Sequence, residues 1–198
     1  MFGREDFRIA REAHYKRFLG EIDSVAHSMS VDLLPVHVDV YQLPPTGDRP
    51  YWTLITGGMS DFRQPALEKP PAGIVPRSEL FIYARQLENW MPSVLQGLAE
   101  MPFERASALY WGHTVPNGQP ITDAAEHLTS FFFLPPCCEI EDFQALSLDG
   151  DGVAFLMVVT ITEAERAYAI EHGSAALGQC MEDADLDFIF DATPKSLV

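Results

Sequence analysis

The chain has 198 residues, of which 47% are hydrophobic and 21% charged, a composition typical of a globular domain. It contains 29 acidic residues but only 13 Lys and Arg, which gives a formal net charge of −16. This charge disfavours functions in general nucleic-acid or anionic-membrane binding, because phosphate groups repel an acidic surface.

The cysteines and the apolar runs indicate the expected cellular location of the protein. Cys137, Cys138 and Cys180 are three in number, and two are adjacent, so they do not form a disulfide framework. The N-terminal segment mixes charged and apolar residues, unlike a signal peptide. The longest apolar run, 153–159, is far shorter than the roughly 20 residues of a membrane-spanning helix. We therefore expect one domain over residues 1–198, located in the cytoplasm.

Hydrophobic spacing predicts the first elements of the chain. Apolar residues recur at three- and four-residue steps over 5–28, which predicts a helix. Apolar and polar residues alternate over 36–41, and aromatic and β-branched residues fill 51–56, so both segments are predicted strands. The second strand leads into Gly57-Gly58, where glycine permits a positive φ or a close backbone approach.

The remaining two thirds of the chain contain both strands and helices. We predict strands at 78–85, 127–136 and 185–190, a turn that leads into a strand within 146–162, helices at 90–105, 162–173 and 174–184, and a loop at 109–123. Thr162 and Glu165 have the spacing of a helix capping box. The strand ending at Thr162 is the most apolar and is expected at the centre of the sheet. Since the order is not strictly βαβ, the pattern favours an α+β fold with a mixed β-sheet flanked by helices.

The C-terminal half carries almost all of the excess negative charge. Residues 100–198 hold 17 of the 29 acids but only three bases. This half is either a solubilising face or a surface that steers a basic partner. The candidate acidic contacts are Asp149, Asp151, Asp183, Asp185 and Asp187.

Neither acidic cluster matches an established metal motif. The segment 149–152 lacks the later ligands of an EF-hand loop and is better explained as a turn before a strand. Asp183, Asp185 and Asp187 alternate along the chain, which suits either a hard cation or an acidic strand edge that deters pairing.

Motifs for catalysis are missing from the sequence. It has no GxSxG elbow, no phosphate-binding loop, no dinucleotide fingerprint and no zinc-binding spacing of Cys and His. The Cys137-Cys138 pair is expected to be buried or to end a strand, because no neighbouring base is identified. The sequence therefore supplies no catalytic constellation, and we predict no metal and no cofactor. In the loop, Trp111, His113 and Asn117 are either packed against the core or serve as binding contacts.

Several blocks, taken in order, resemble the Suppressor of fused family. They are WTLITGGMSDF (52–62), SELFIYAR (78–85), LQGLAEMPF (95–103), GVAFLMVVTITEAE (152–165) and DATPKS (191–196). The resemblance extends over about residues 30–196. It implies a mixed sheet with flanking helices and a protein-binding function without catalysis.

The resemblance also bears on the partner. The animal member of the family represses Hedgehog signalling by gripping a transcription-factor peptide between this domain and a second one. Because this chain is expected to stop after the first domain, that role is not carried over. Compact bacterial relatives have been proposed as immunity proteins that neutralise toxins, and strong acidity suits a basic toxin. The alternatives are a metal-assisted hydrolase using Asp183, Asp185 and Asp187, or a scaffolding subunit of a dimer.

Overall fold

A computed structural model describes residues 4–28 and 34–191. Its α-helices are α1 (Glu5–Leu19), α2 (Trp90–Glu104), α3 (Glu163–His172) and α4 (Ser174–Asp183). Its strands are β1 (Ser24–Ala26), β2 (Asp39–Leu43), β3 (Trp52–Gly57), β4 (Arg77–Ala84), β5 (Thr114–Pro116), β6 (Leu128–Leu134), β7 (Ser147–Leu148), β8 (Asp151–Thr162) and β9 (Ile189–Phe190). Within these ranges, no helix is long and apolar enough to cross a membrane.

The strands form one mixed sheet, which confirms the predicted fold class. The main order is β1-β2-β3-β4-β8-β6-β5. Neighbours in this order are antiparallel except β4 and β8, which run parallel. Strand β9 continues the parallel pairing of β4 beyond the point where β8 leaves it. Strand β7 forms a hairpin with β8.

Alternating side chains of the central strands divide the core into two layers. Leu80 and Leu156 belong to the cluster on the α2 face, whereas Phe81 and Phe155 belong to the cluster on the face that α1, α3 and α4 cover. Strand β8 is therefore central and buried on both faces, as the sequence predicts. The helices cover both sides of the sheet, so the fold has three layers.

Helix α1 is shorter than its hydrophobic pattern predicts. The predicted helix over 5–28 ends at Leu19, because Gly20 has a φ of 111° and turns the chain. Val25 keeps the apolar spacing but lies in β1, paired with Tyr41 of β2. The predicted strand at 36–41 is likewise shifted, since β2 begins only at Asp39.

A buried ionic network joins α1 to the sheet. Its centre is the carboxylate of Glu79 on β4, which is fully buried and accepts hydrogen bonds at 2.6–3.0 Å from Thr56 Oγ1, the Gly58 and Ser60 amides and Ser60 Oγ. Arg11 of α1 is buried too, forms an ion pair with Asp61 and lies 3.7 Å from Glu79. Burial alone would lower the pKa of Arg11, but the neighbouring carboxylates raise it, so the guanidinium stays charged. We call Glu79, Arg11 and Asp61 the buried frame.

The buried frame explains the glycine pair after β3. Gly58 has a φ of 125°, and a Cβ there would lie 1.9 Å from the carbonyl oxygen of His37. Only glycine can present this amide to Glu79 while the backbone passes so close. The Gly57-Gly58 corner therefore has a structural role.

The C-terminal elements follow the prediction until α4 ends. The capping box of Thr162 and Glu165 begins α3, and Gly173 ends it with a φ of 93°. The predicted strand at 185–190 is wrong for its first half, because Asp185 has a φ of 49° and Leu186 donates its amide back to Met181. Only β9 pairs in the sheet. Residues 192–196 of the DATPKS segment lie outside the described residues.

Candidate protein-binding surface

The fold separates the predicted site residues into three places. The outer edge of the sheet holds Trp111, His113 and Asn117. The β7–β8 hairpin holds Asp149 and Asp151. The end of α4 and the residues just after it hold Asp183, Asp185 and Asp187. The eight residues therefore do not form one compact cluster.

The outer edge is formed by β5, the last strand in the order of the sheet. Trp111, just before β5, is half-buried, packs against the core and donates its indole N–H to the Phe155 carbonyl at 3.2 Å. Of the two roles that the sequence allows for Trp111, the structure therefore shows packing against the core. Pro116 ends β5, and a proline on an edge strand limits further strand pairing.

The backbones of His113 and Asn117 form hydrogen bonds with β6. The His113 carbonyl accepts from the Phe133 amide at 3.1 Å, and the exposed ring accepts at Nδ1 from the Tyr110 amide. Asn117 donates its backbone amide to the Thr129 carbonyl at 2.8 Å, and Gly118 follows with a φ of 78°. Of Trp111, His113 and Asn117, only His113 is exposed.

The hairpin aspartates are engaged with arginines. Asp151 accepts from Arg63 at 2.8 and 2.9 Å and from Arg77 at 3.0 Å. These pairs lower the pKa of Asp151, with the hydrogen bond from Arg63 as the largest cause. Asp149 is exposed, forms an ion pair with Arg4 at 3.2 Å and has a φ of 55° in the predicted turn. Asp151 thus fixes the hairpin to β4.

The third group begins at the end of α4. Glu182 and Asp183 lie in its last turn, and Asp185 follows in the turn after it. All three are exposed, and no described Lys or Arg forms an ion pair with them. We call Glu182, Asp183 and Asp185 the acidic end. The last turn of α4 contains no basic residue, so these carboxylates meet the negative end of the helix dipole, an unfavourable position.

Asp187 differs from its neighbours in the sequence. Its carboxylate pairs with Arg85 and also accepts the Ile189 amide at 3.0 Å, which leads the chain into β9. Asp183 accepts from Gln179 at 2.9 Å. Over residues 4–28 and 34–191, no group of three His, Cys, Asp or Glu side chains is placed to hold a metal ion. Asp183, Asp185 and Asp187, which the hydrolase alternative requires to act together, do not form such a group.

The fold also neutralises much of the charge asymmetry. Arginines of the N-terminal half pair with acids of the C-terminal half, as Arg49 does with Glu139, Arg77 with Asp151 and Arg85 with Asp187. Arg77 and Arg85 lie at opposite ends of β4, about 25 Å apart at the usual rise per residue. Glu182 was not among the contacts chosen from the sequence. The absence of a base in its helical turn is the signal that could have identified it.

Comparison with known proteins decides the family. The family model described as Suppressor of fused protein (SUFU) matches residues 35–193. The chain belongs to the Suppressor of fused family. This confirms the resemblance found in the sequence.

Solved SUFU structures share the fold. A SUFU homolog from Neisseria gonorrhoeae has a TM-score of 0.78 and 20% sequence identity, with 98% of each chain covered. A chain of the Sufu–Fu complex has a TM-score of 0.66 and 15% identity, covering 98% of this chain and 92% of that one. Drosophila Suppressor of Fused has a TM-score of 0.57 and 15% identity, covering 83% of this chain but 43% of its own length. No curated protein sequence matches the chain.

Proposed function

We propose that this SUFU-family protein is a non-enzymatic module whose acidic end binds a basic protein. The observation that carries the proposal is the set of exposed carboxylates at the negative end of α4, with which no Lys or Arg among the described residues forms an ion pair. The fold gains nothing electrostatically from them there, whereas a cationic partner would neutralise both the carboxylates and the helix terminus. A structural relative is described as part of a protein complex, which agrees with a binding function.

The outer edge of the sheet is a second part of the proposed surface. Helix α4 begins beside this edge, since a Cβ on Gly112 would lie 2.6 Å from Ser174 Oγ. From there α4 extends about 15 Å, the length of a ten-residue helix, to the acidic end. We propose that one partner of ordinary interface size, which is wide enough to span this distance, contacts both the His113 ring and the acidic end.

The partner we propose is a basic toxin that the chain neutralises as an immunity protein. Support comes from the net charge of −16 and from the immunity role proposed for compact bacterial members of the family. Charge complementarity would speed the encounter, as rapid neutralisation of a toxin requires.

The experiment is affinity capture from the native cell extract at low and at high salt, with mass spectrometry of the eluted proteins. The baits are the wild-type protein, the double variant Asp183→Lys/Asp185→Lys and the control Glu104→Lys, whose charge change lies on α2, across the sheet. We expect a basic protein that salt releases from the wild type and the control and that the double variant does not retain.

Two results would contradict the proposal. If no protein is retained at either salt concentration, the binding function is wrong. If the double variant retains the partner as well as the control does, the acidic end is not the interface. The immunity role is tested separately, by asking whether co-expression of the chain restores growth to cells that express the captured protein.

A further inference from the structure

Two adjacent thiols lie on the loop that follows β6. The sequence predicts that Cys137 and Cys138 are buried or end a strand, but both are exposed, beyond the last residue of β6 at Leu134. Their Sγ atoms are 4.0 Å apart and share a weak S–H···S contact.

The loop holds these thiols in a defined place. On one side are Pro135 and Pro136, whose carbonyls accept the Cys137 and Glu139 amides at 2.7 and 3.1 Å. On the other side, the buried Glu139 carboxylate accepts two hydrogen bonds from Arg49, at 2.7 and 2.9 Å, and one from Tyr83. The pair is thus fixed at both ends, which limits the conformations that it must give up in order to react.

The two thiols differ in acidity. A hydrogen bond from Cys138 lowers the pKa of Cys137 to about 7, although burial and the charge of Glu182 oppose the shift. The same interaction raises the pKa of Cys138. At neutral pH, Cys137 is therefore the nucleophile and Cys138 the protonated neighbour.

We propose that Cys137 and Cys138 form a redox-active vicinal dithiol that reacts with small disulfides and closes to an intrachain disulfide. The Cys137 thiolate attacks a sulfur of RSSR, forms a mixed disulfide and releases RS⁻. This thiolate takes the Cys138 proton and becomes RSH. The Cys138 thiolate then attacks Cys137 Sγ and expels a second RS⁻, so that the protein is oxidised by two electrons and RSSR is reduced.

The product is expected to be easily reduced. Neighbouring Cα atoms are about 3.8 Å apart across a trans peptide, below the ~4.4–6.8 Å usual for disulfides, so the ring is strained. Strained, exposed disulfides are the labile ones. The dithiol is therefore suited to reversible oxidation, and the charge of Glu182, in the acidic end, raises the pKa of Cys137.

The test treats the reduced full-length protein with glutathione disulfide at pH 7, followed by intact-mass measurement and peptide mapping. Four proteins are compared: the wild type, Cys137→Ser, Cys138→Ser and the control Cys180→Ser, whose thiol is half-buried and 3.8 Å from the Tyr168 hydroxyl. We expect the wild type and Cys180→Ser to lose two hydrogens and to regain them on treatment with dithiothreitol.

The single variants separate the two roles. Cys138→Ser should stop at a stable glutathione adduct on Cys137. Cys137→Ser should react roughly threefold more slowly than the wild type. In the wild type, Cys137 has a larger thiolate fraction than Cys138 has in the variant, and this outweighs the lower nucleophilicity of a more acidic thiol. The proposal is overturned if the wild type keeps both thiols, carries a lasting glutathione adduct, or forms only disulfides between molecules.

Discussion

The buried frame and the acidic end use the same carboxylate chemistry in opposite ways. In the buried frame, Glu79 has no exposed surface and every contact is a specific hydrogen bond or ion pair within the fold. At the acidic end, Asp183 and Asp185 are exposed, and no described Lys or Arg pairs with them. Net charge alone does not distinguish these situations.

The difference separates carboxylates that stabilise the fold from carboxylates that we propose bind a partner. A buried carboxylate must be compensated, because an unpaired charge in the interior is strongly destabilising. An exposed carboxylate costs little, so it remains available for binding. Mutations in the two regions should therefore change different quantities, folding stability in one case and partner affinity in the other.

The largest expected effect is at the centre of the buried frame. Glu79→Gln places a side-chain NH₂ group among backbone amides and hydroxyls that donate to the wild-type carboxylate. It also removes one of the negative charges that face Arg11. We expect the free energy of unfolding to fall by about 3–5 kcal/mol, measured by urea denaturation. The control is Glu171→Gln on the exposed face of α3, with an expected change within about 0.5 kcal/mol. Equal losses in the two variants would contradict the distinction.

The next effect concerns the backbone around the buried frame. Gly58→Ala adds a Cβ that meets the His37 carbonyl in a conformation alanine rarely adopts, so we expect a loss of at least about 2 kcal/mol. Gly97→Ala is the matched control, because its Cβ would meet no atom within 4 Å inside α2 and should stabilise the protein by up to about 1 kcal/mol. Urea denaturation of both variants gives the comparison, and similar stabilities would show that the corner tolerates a side chain.

A smaller effect is expected at the hairpin that is fixed to β4. The folded-state pKa of Asp151 is below its unfolded value, so its contribution to stability is present above about pH 4 and is lost as the pH falls through the folded-state pKa. Asp151→Asn should lower stability at pH 7 by about 1–3 kcal/mol and flatten the decline in acid. Unfolding curves from pH 7 to pH 2 test this. An unchanged acid profile would show that Asp151 gives no pH-dependent stability.

The smallest expected change in stability has the opposite sign. Asp183→Asn/Asp185→Asn removes negative charge from the negative end of α4, which should raise the free energy of unfolding by about 0.3–1 kcal/mol at low salt. Salt should reduce the gain, since the interaction is exposed. Thermal unfolding at two salt concentrations measures it, and a clear loss of stability would place these carboxylates among the structural ones.

Much of the fold could be predicted from the sequence because local signals and burial agree. The continuous apolar run of β8 and the Thr162–Glu165 capping box specify a central strand that leads into a helix. The end of α1 could not be found from hydrophobic spacing, since Val25 fits both a helix and the strand that it joins. Gly20 was the competing signal, because a glycine in a helical pattern can end the helix.

The candidate site was less predictable, because it depends on pairing between distant residues. Asp151 and Asp185 look alike in the sequence, yet Arg63 and Arg77 reach only Asp151. The alternation of Asp183, Asp185 and Asp187 suggested one strand edge, but a turn separates them. Which carboxylates remain unpaired is a property of the tertiary structure.

The most direct test measures stability and binding on the same variant. Asp183→Asn/Asp185→Asn is compared with the wild type for its free energy of unfolding and for retention of the captured partner at low salt. The account predicts equal or higher stability together with weaker retention. Lower stability with full retention would contradict it, because the acidic end would then serve the fold and not the partner.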